Sequence, residues 1–421
     1  MSDATHKPQA HPAPPPETTD IAIIGAGPAG AVAACQLRDA GWRVSVIEAA
    51  HFPRFSIGES LLPQCLVDLD RAGLGDTVRA AGYQYKNGAR FRCGAEQRDI
   101  HFPDNAWDET PPRPGDAFQV ERADFDQRLI NAAAERGARV RFGCRVTGFT
   151  PDAQHPELAL DNGSRLRARL VLDASGFARV LTRQLETARA SRLPDRHALF
   201  THVALPEHTP GLERRRILIG MHPDTPALWY WLIPLSGDRA SLGFVGDPER
   251  LAAFGSDEES RLTGLIGHFA ELAALFGDPK RLRPTATLAG YSSDAVHLSG
   301  PGYVLLGNAG EFLDPIFSSG VTVAIRSAML AAPLADRQLR GETVDWESKY
   351  EQPLRRGLAT FRAFVEAWYD GRLPRIIFHP EPPGYLHRMI CAVLAGYAWD
   401  ERNPFVQAPE RRLATLAQLC E

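Results

Sequence analysis

Residues 21–48 constrain the chain most, because they read as strand, glycine turn, helix and strand in an order that few folds admit. Ile21-Ala22-Ile23-Ile24 is an unbroken apolar run, the mark of a strand covered on both faces. Gly25-Ala26-Gly27-Pro28-Ala29-Gly30 follows, then small residues to about Ala40 that read as a helix stopped by Gly41. Arg43-Val44-Ser45-Val46-Ile47-Glu48 is a second strand ending in an acid. In such a turn the first glycine permits the bend, the second lets backbone approach a pyrophosphate, and the third lets helix pack on strand. Gly25, Gly27 and Gly30 fit those positions, with Ala29 beside them, and a phosphate would meet the partly positive helix start. Glu48 lies 18 residues beyond Gly30, where a carboxylate can accept hydrogen bonds from ribose hydroxyls.

Further along, residues 85–101 read as short strands and 123–136 as a helix stopped by Gly137, while 139–142 and 168–172 are again strand-like. From about Ser191 to Ala289 the pattern becomes alternating strands with turn residues, interrupted by one helix near 258–275, which suggests an inserted antiparallel sheet. Tyr303-Val304-Leu305-Leu306-Gly307 restores the buried strand, and 321–337 reads as a helix. The expected organisation is a nucleotide-binding α/β unit split over 20–84, 118–190 and 290–340. A β-sheet domain takes 85–117 and 191–289, and an aromatic-rich helical region takes 341–421. Residues 1–19, rich in Pro, Ala and Thr, read as a disordered tail with ordered structure beginning at Asp20.

Composition removes several function classes. A net charge of −4 gives no general attraction to nucleic acid or anionic membrane, and Arg214-Arg215-Arg216 reads as a solvated face. Six cysteines without a Cys-x-x-Cys pair or neighbouring histidines indicate neither a disulfide framework nor a zinc site, so a reducing cytoplasm is expected. No stretch approaches 18 consecutive apolar residues, so no membrane span is expected.

Three further segments carry the chemistry. Pro53-Arg54-Phe55-Ser56-Ile57-Gly58-Glu59-Ser60-Leu61-Leu62-Pro63 is followed, 28 residues after Gly58, by Lys86 in Lys86-Asn87-Gly88-Ala89, and the chain later reads Trp229-Tyr230-Trp231-Leu232-Ile233-Pro234. Together they resemble the flavin-dependent halogenases. The resemblance implies a Rossmann-type FAD-binding fold of the aromatic hydroxylase and halogenase superfamily, with an inserted antiparallel substrate domain and a helical C-terminal region. Gly307-Asn308-Ala309-Gly310 before Asp314-Pro315 resembles the superfamily's second flavin-contact motif, and Val171-Leu172-Asp173-Ala174-Ser175-Gly176 is similar to its middle motif. Val120-Glu121-Arg122 resembles the strand whose arginine reaches the flavin. Asn308 stands where the family keeps aspartate, which removes a charge and alters the hold on flavin.

Phe312-x-x-Pro315-x-x-Ser318-x-Gly320 precedes a helix whose free amides suit an anion. By resemblance, Ser319 and Gly320 present those amides to chloride or bromide. Tryptophan halogenases carry glutamate just before the first serine of this loop. Phe317 stands there instead, pointing to phenols or pyrroles activated by their own substituents. The resemblance makes Lys86 the catalytic amine, with Glu59 and Ser60 along the channel between flavin and lysine. Hypohalous acid is small and unselective, so a positioned amine is needed to deliver it to one ring carbon. Trp229 and Trp231 alternate on a strand and so face one side. In the family they shield substrate from the flavin, a role that simple packing matches equally well.

The leading reading is an FADH2- and O2-dependent halogenase acting on a small aromatic, free or tethered to a carrier protein, with FADH2 supplied by a separate flavin reductase. No second nucleotide fingerprint appears for NADH, and no motif speaks to oligomeric state. The compact C-terminal region is similar to relatives acting on phenols or carrier-held pyrroles in secondary-metabolite or pigment biosynthesis. The competing readings are an aromatic monooxygenase of the same fold, a geranylgeranyl-reductase-like enzyme, and a degenerate flavoprotein serving as scaffold.

Overall fold

A computed structural model describes residues 16–107, 113–380 and 384–420. Ile21–Ile24 is central in a six-stranded sheet whose order is Ser299–Gly300, Tyr303–Leu305, Leu170–Asp173, Ile21–Ile24, Val44–Ile47 and Arg139–Arg141. All pairings are parallel except the hairpin between the first two. Every residue of Ile21–Ile24, Val44–Ile47 and Leu170–Asp173 is buried, as continuous apolar runs under helices on both faces should be. The helices Pro28–Asp39 and Ser319–Leu339 pack against each other beside this sheet.

A seven-stranded sheet runs in the order Ala286–Ala289, His197–Ala204, Arg239–Gly246, Thr225–Leu235, Arg216–His222, Gly88–Cys93 and Glu96–His101. It is antiparallel apart from the pair Arg216–His222 with Gly88–Cys93. Alternation along Thr225–Leu235 sends Trp229 and Trp231 into the main core, and Tyr230 and Leu232 into a smaller core on the opposite face. The smaller core is covered by two helices, Glu258–His268 and Ala270–Phe276, where one was expected. Phe269 breaks them. Its backbone is extended and its buried ring meets Tyr230 edge-on, with centroids 4.8 Å apart. C-terminal helices, chiefly Gln352–Tyr369, close the far side with Phe361, Phe364 and Trp368 buried.

Of the expected disordered tail, residues 1–15 lie outside the described residues. The rest is ordered: Glu17–Thr18 pairs in parallel with Leu166 and Arg167, and Thr19 Oγ1 donates to Arg43 O at 2.9 Å. Glu17 is also held by Arg139 at 2.8 Å and by Arg141. Partners that far along the chain leave no mark in local composition. Val120-Glu121-Arg122, expected as strand, instead ends in the first residue of the helix Arg122–Glu135.

Candidate active site

Between the two sheets lies a cavity of about 370 Å³, lined at one end by Gly25, Gly27, Ala29 and Glu48 and at the other by Ile219, Trp229 and Trp231. The glycines differ in what demands them. Gly25 has φ +96°, and a Cβ there would fall 2.5 Å from Ala174 O; one on Gly30 would fall 2.1 Å from Gly25 O. Protein packing explains both. A Cβ on Gly27 would meet only the Arg54 guanidinium, at 3.5 Å, so at that position the restriction comes from whatever fills the cavity. Glu48 accepts from Ala26 N and Ala50 N, each at 2.8 Å, which orients its carboxylate on the cavity wall.

Arg122 and Asn308 also line the cavity. Arg122 grips Asp126 through Nε at 2.7 Å and Nη2 at 2.9 Å, while Nη1 donates to Ile57 O at 2.6 Å. Asn308 Oδ1 is buried without a hydrogen-bond partner among the described residues, an acceptor that a bound hydroxyl or ring N–H would satisfy. Asp314, expected at the cofactor, is absent from the residues that line the cavity. Its carboxylate turns inward, accepting from Ile316 N at 3.0 Å, Tyr369 Oη at 2.9 Å and Tyr291 Oη at 3.3 Å. Burial raises its pKa to about 6 against these donors. Tyr369 in turn accepts from Trp229 Nε1 at 3.0 Å, and Trp231 Nε1 donates to Ser241 Oγ at 3.1 Å, so both cavity-wall indoles are fixed in orientation.

The loop after Asp314 ends with Ser318 in the left-handed region, φ +56°, capping the helix Ser319–Leu339. The amides of Ser319 and Gly320 belong to the first helical turn and have no intrahelical acceptor. Ser318 and Gly320 line the cavity, while the Ser319 side chain is buried. Lys86 does not line it. It pairs in register with Ala117 on the short strand Gln84–Lys86 and faces a separate void of about 10 Å³. That void is bounded by Phe91, Ile100, Phe102, Phe317 and Leu394. Lys86 is fully buried and Nζ donates to Ser60 Oγ at 2.7 Å and Leu61 O at 2.8 Å, 4.9 Å from the Phe102 ring centroid. Among the described residues no carboxylate pairs with it, and burial pushes its pKa down to about 7.

A family model described as tryptophan halogenase matches residues 20–104 and 109–372. The chain belongs to that family. It is 32% identical over 354 residues to a tryptophan 2-halogenase of Chondromyces crocatus, a match spanning 80% of this chain and 64% of the relative. A 1H-pyrrole-2-carbonyl peptidyl-carrier-protein brominase of Pseudoalteromonas luteoviolacea is 28% identical over 341 residues, 79% of this chain and 80% of its own length. A solved flavoprotein/dehydrogenase from Cytophaga hutchinsonii has the same fold with a TM-score of 0.91 at 39% identity, covering 96% of this chain and 99% of that one.

Halogenases of this family use FAD and a halide. The open approach at Gly27 and the unpaired Asn308 acceptor fit the cofactor, which Gly25, Gly27, Glu48, Arg122 and Asn308 would hold. Gly27→Val is expected to weaken FAD binding at least about 100-fold, because the branched side chain would project into the cavity where backbone approaches the pyrophosphate. Fluorescence titration of the apoprotein checks this, and an unchanged affinity would place the cofactor elsewhere.

Three groups that stand behind the cavity wall escape sequence reading: His202, Arg283 and Tyr369. His202 Nε2 lies 2.7 Å from Glu59 Oε1, and the Arg283 guanidinium sits 3.2 Å over the Phe55 ring centroid. His202 is 143 positions from Glu59, and Tyr369 is 140 from Trp229, so no local spacing announces either.

Proposed function

We propose that the chain is a halogenase that oxidises chloride or bromide and places the halogen on an electron-rich phenol or pyrrole, with Lys86 delivering it. The buried lysine without a counter-ion carries this reading. With a pKa of about 7 it exists both as ammonium, able to hydrogen-bond hypohalous acid, and as free amine, able to take up electrophilic halogen. When bound, reduced FAD and oxygen supply the oxidant that turns halide into hypohalous acid. Gly25, Gly27, Glu48 and Arg122 orient that cofactor, the first-turn amides of Ser319 and Gly320 hold the halide, and Trp229 and Trp231 keep the ring on the lysine side. Ser60 aims the Lys86 amine by accepting one of its three N–H bonds.

Apolar walls around Lys86 support a neutral ring activated by its own substituents. Phe317 stands at that wall where a general-base carboxylate would otherwise stand, edge-on to Phe364 and Trp368. The void as it stands holds about one water, so a ring enters only with movement of the surrounding side chains. The relatives named for carrier-bound pyrrole-2-carbonyl groups support a tethered substrate. A separate flavin reductase would supply the reduced flavin, and secondary-metabolite biosynthesis is the proposed setting.

The test supplies protein, FAD, a flavin reductase with NADH, oxygen and bromide to a panel of free and carrier-bound phenols and pyrroles. The expected result is a product whose mass and isotope pattern report one bromine replacing hydrogen, absent without bromide and without the reductase. A product gaining only oxygen, with or without halide, would overturn it in favour of a monooxygenase.

A further inference from the structure

The proposed halogenation consumes acid. Written in full, FADH2 + O2 + X⁻ + Ar–H + H⁺ gives FAD + Ar–X + 2 H2O, so one proton per ring must reach the cavity, whose wall near Glu59 includes Ile57, Ile217, Trp231 and Ile233. Glu59 lines that cavity with its side chain only 2% exposed. Its Oε1 lies 2.7 Å from Nε2 of His202, whose side chain keeps 13% of its surface exposed. The imidazole stands on the strand His197–Ala204, with Ser241 opposite on the neighbouring strand and the Phe55 ring edge-on at 5.5 Å.

Arg283 is the other charge here. Its guanidinium covers the outer face of Phe55, its Nη1 has no hydrogen-bond partner among the described residues, and Glu59 is the carboxylate whose charge acts on it. Lys86 belongs to a different set, spending its contacts on Ser60 and Leu61. A buried carboxylate is costly unless something needs its charge, and apolar residues would tie the 58–60 turn to the sheet at less cost.

We infer that His202 and Glu59 form the relay that carries the consumed proton from solvent into the cavity, a role that rests on the halogenation proposed for this site. A solvent proton binds Nδ1 of His202. The Nε2–H bond then breaks as an O–H bond forms on Glu59 Oε1, the acid releases the proton at the cavity face, and loss of the Nδ1 proton to solvent with reprotonation at Nε2 resets the imidazole.

Two variants of the full-length protein test the relay at pH 8, with FAD, flavin reductase, NADH, oxygen, bromide and the aromatic acceptor supplied. His202→Ala is expected to lose at least about 10-fold in halogenation rate and to recover to within about threefold on addition of millimolar imidazole, which can enter the vacated space. Glu59→Gln should lose a similar factor with no recovery. A His202→Ala rate within twofold of wild type, or a loss that imidazole leaves untouched, would overturn the relay. An independent arm needs neither cofactor nor ring: the side-chain nitrogen signals of His202 are read by NMR in ¹⁵N-histidine-labelled protein. The Nε2 signal should move in Glu59→Gln, since the carboxylate that holds this nitrogen at 2.7 Å is gone. An unchanged signal would dissolve the pair. Because this arm reads the hydrogen bond alone, failure to halogenate any ring would count against the proposed function, while the His202–Glu59 pair would stand or fall by its own spectrum.

Discussion

Lys86→Ala is expected to reduce regiospecific halogenation at least about 10²-fold, the scale on which positioning a reagent ordinarily contributes. FAD affinity should stay within about twofold of wild type, because Lys86 faces its own void and does not line the large cavity. Halide oxidation should continue, so the variant would release hypohalous acid that a soluble trap such as monochlorodimedone intercepts. Product mass, flavin titration and the trap measured on one preparation decide the matter. Retention of more than about a tenth of regiospecific product would remove Lys86 from the delivery step.

Lys86→Met is expected to stabilise the protein in acid and destabilise it in alkali. Burial lowers the folded-state pKa from 10.5 to about 7, so the unfolded chain binds the extra proton between those values and wild-type stability rises with pH across that window. Below about pH 7 the native state carries the full cost of a buried ammonium, on the order of 5 kcal/mol. Methionine keeps the volume and removes the charge, but it leaves Ser60 Oγ and Leu61 O without a donor, at roughly 1 kcal/mol each. The variant should therefore unfold at higher denaturant than wild type at pH 6, by about 3 kcal/mol, and the two should cross near about pH 9. A less stable variant at pH 6 would mean that the ammonium is comfortable where it lies. An enzyme gaining stability by losing this amine would be keeping it for chemistry alone.

The glycine turn and its flanking strands are legible because they are local. Ile21–Ile24 is apolar throughout, the turn follows at once, and Glu48 closes the unit at the expected distance. The alternation that sends Trp229 and Trp231 to one core and Tyr230 to another is equally local. What escaped reading depends on distant contacts. Phe269 looks like one more apolar residue in a helix until Tyr230 and Phe244 are seen to need its ring. Asp314 reads as a cofactor ligand by its place in a motif, yet Tyr369, from the helical region 55 positions on, claims its carboxylate. Arg122 keeps its place at the cavity although its segment is helical, because the side chain reaches back to Ile57 O. His202 is an unremarked residue on an alternating strand until the chain brings Glu59 within hydrogen-bonding reach.

Ile217, Ile219, Ile316 and Ser318 face both the large cavity and the lysine void, so the partition between them is one side chain thick. The space beyond it has room for about one water, so these four residues separate a volume that fits a large group from one that does not. A wall this thin keeps the two spaces apart by fit alone, and the same four side chains that close one are the first that must shift to enlarge the other.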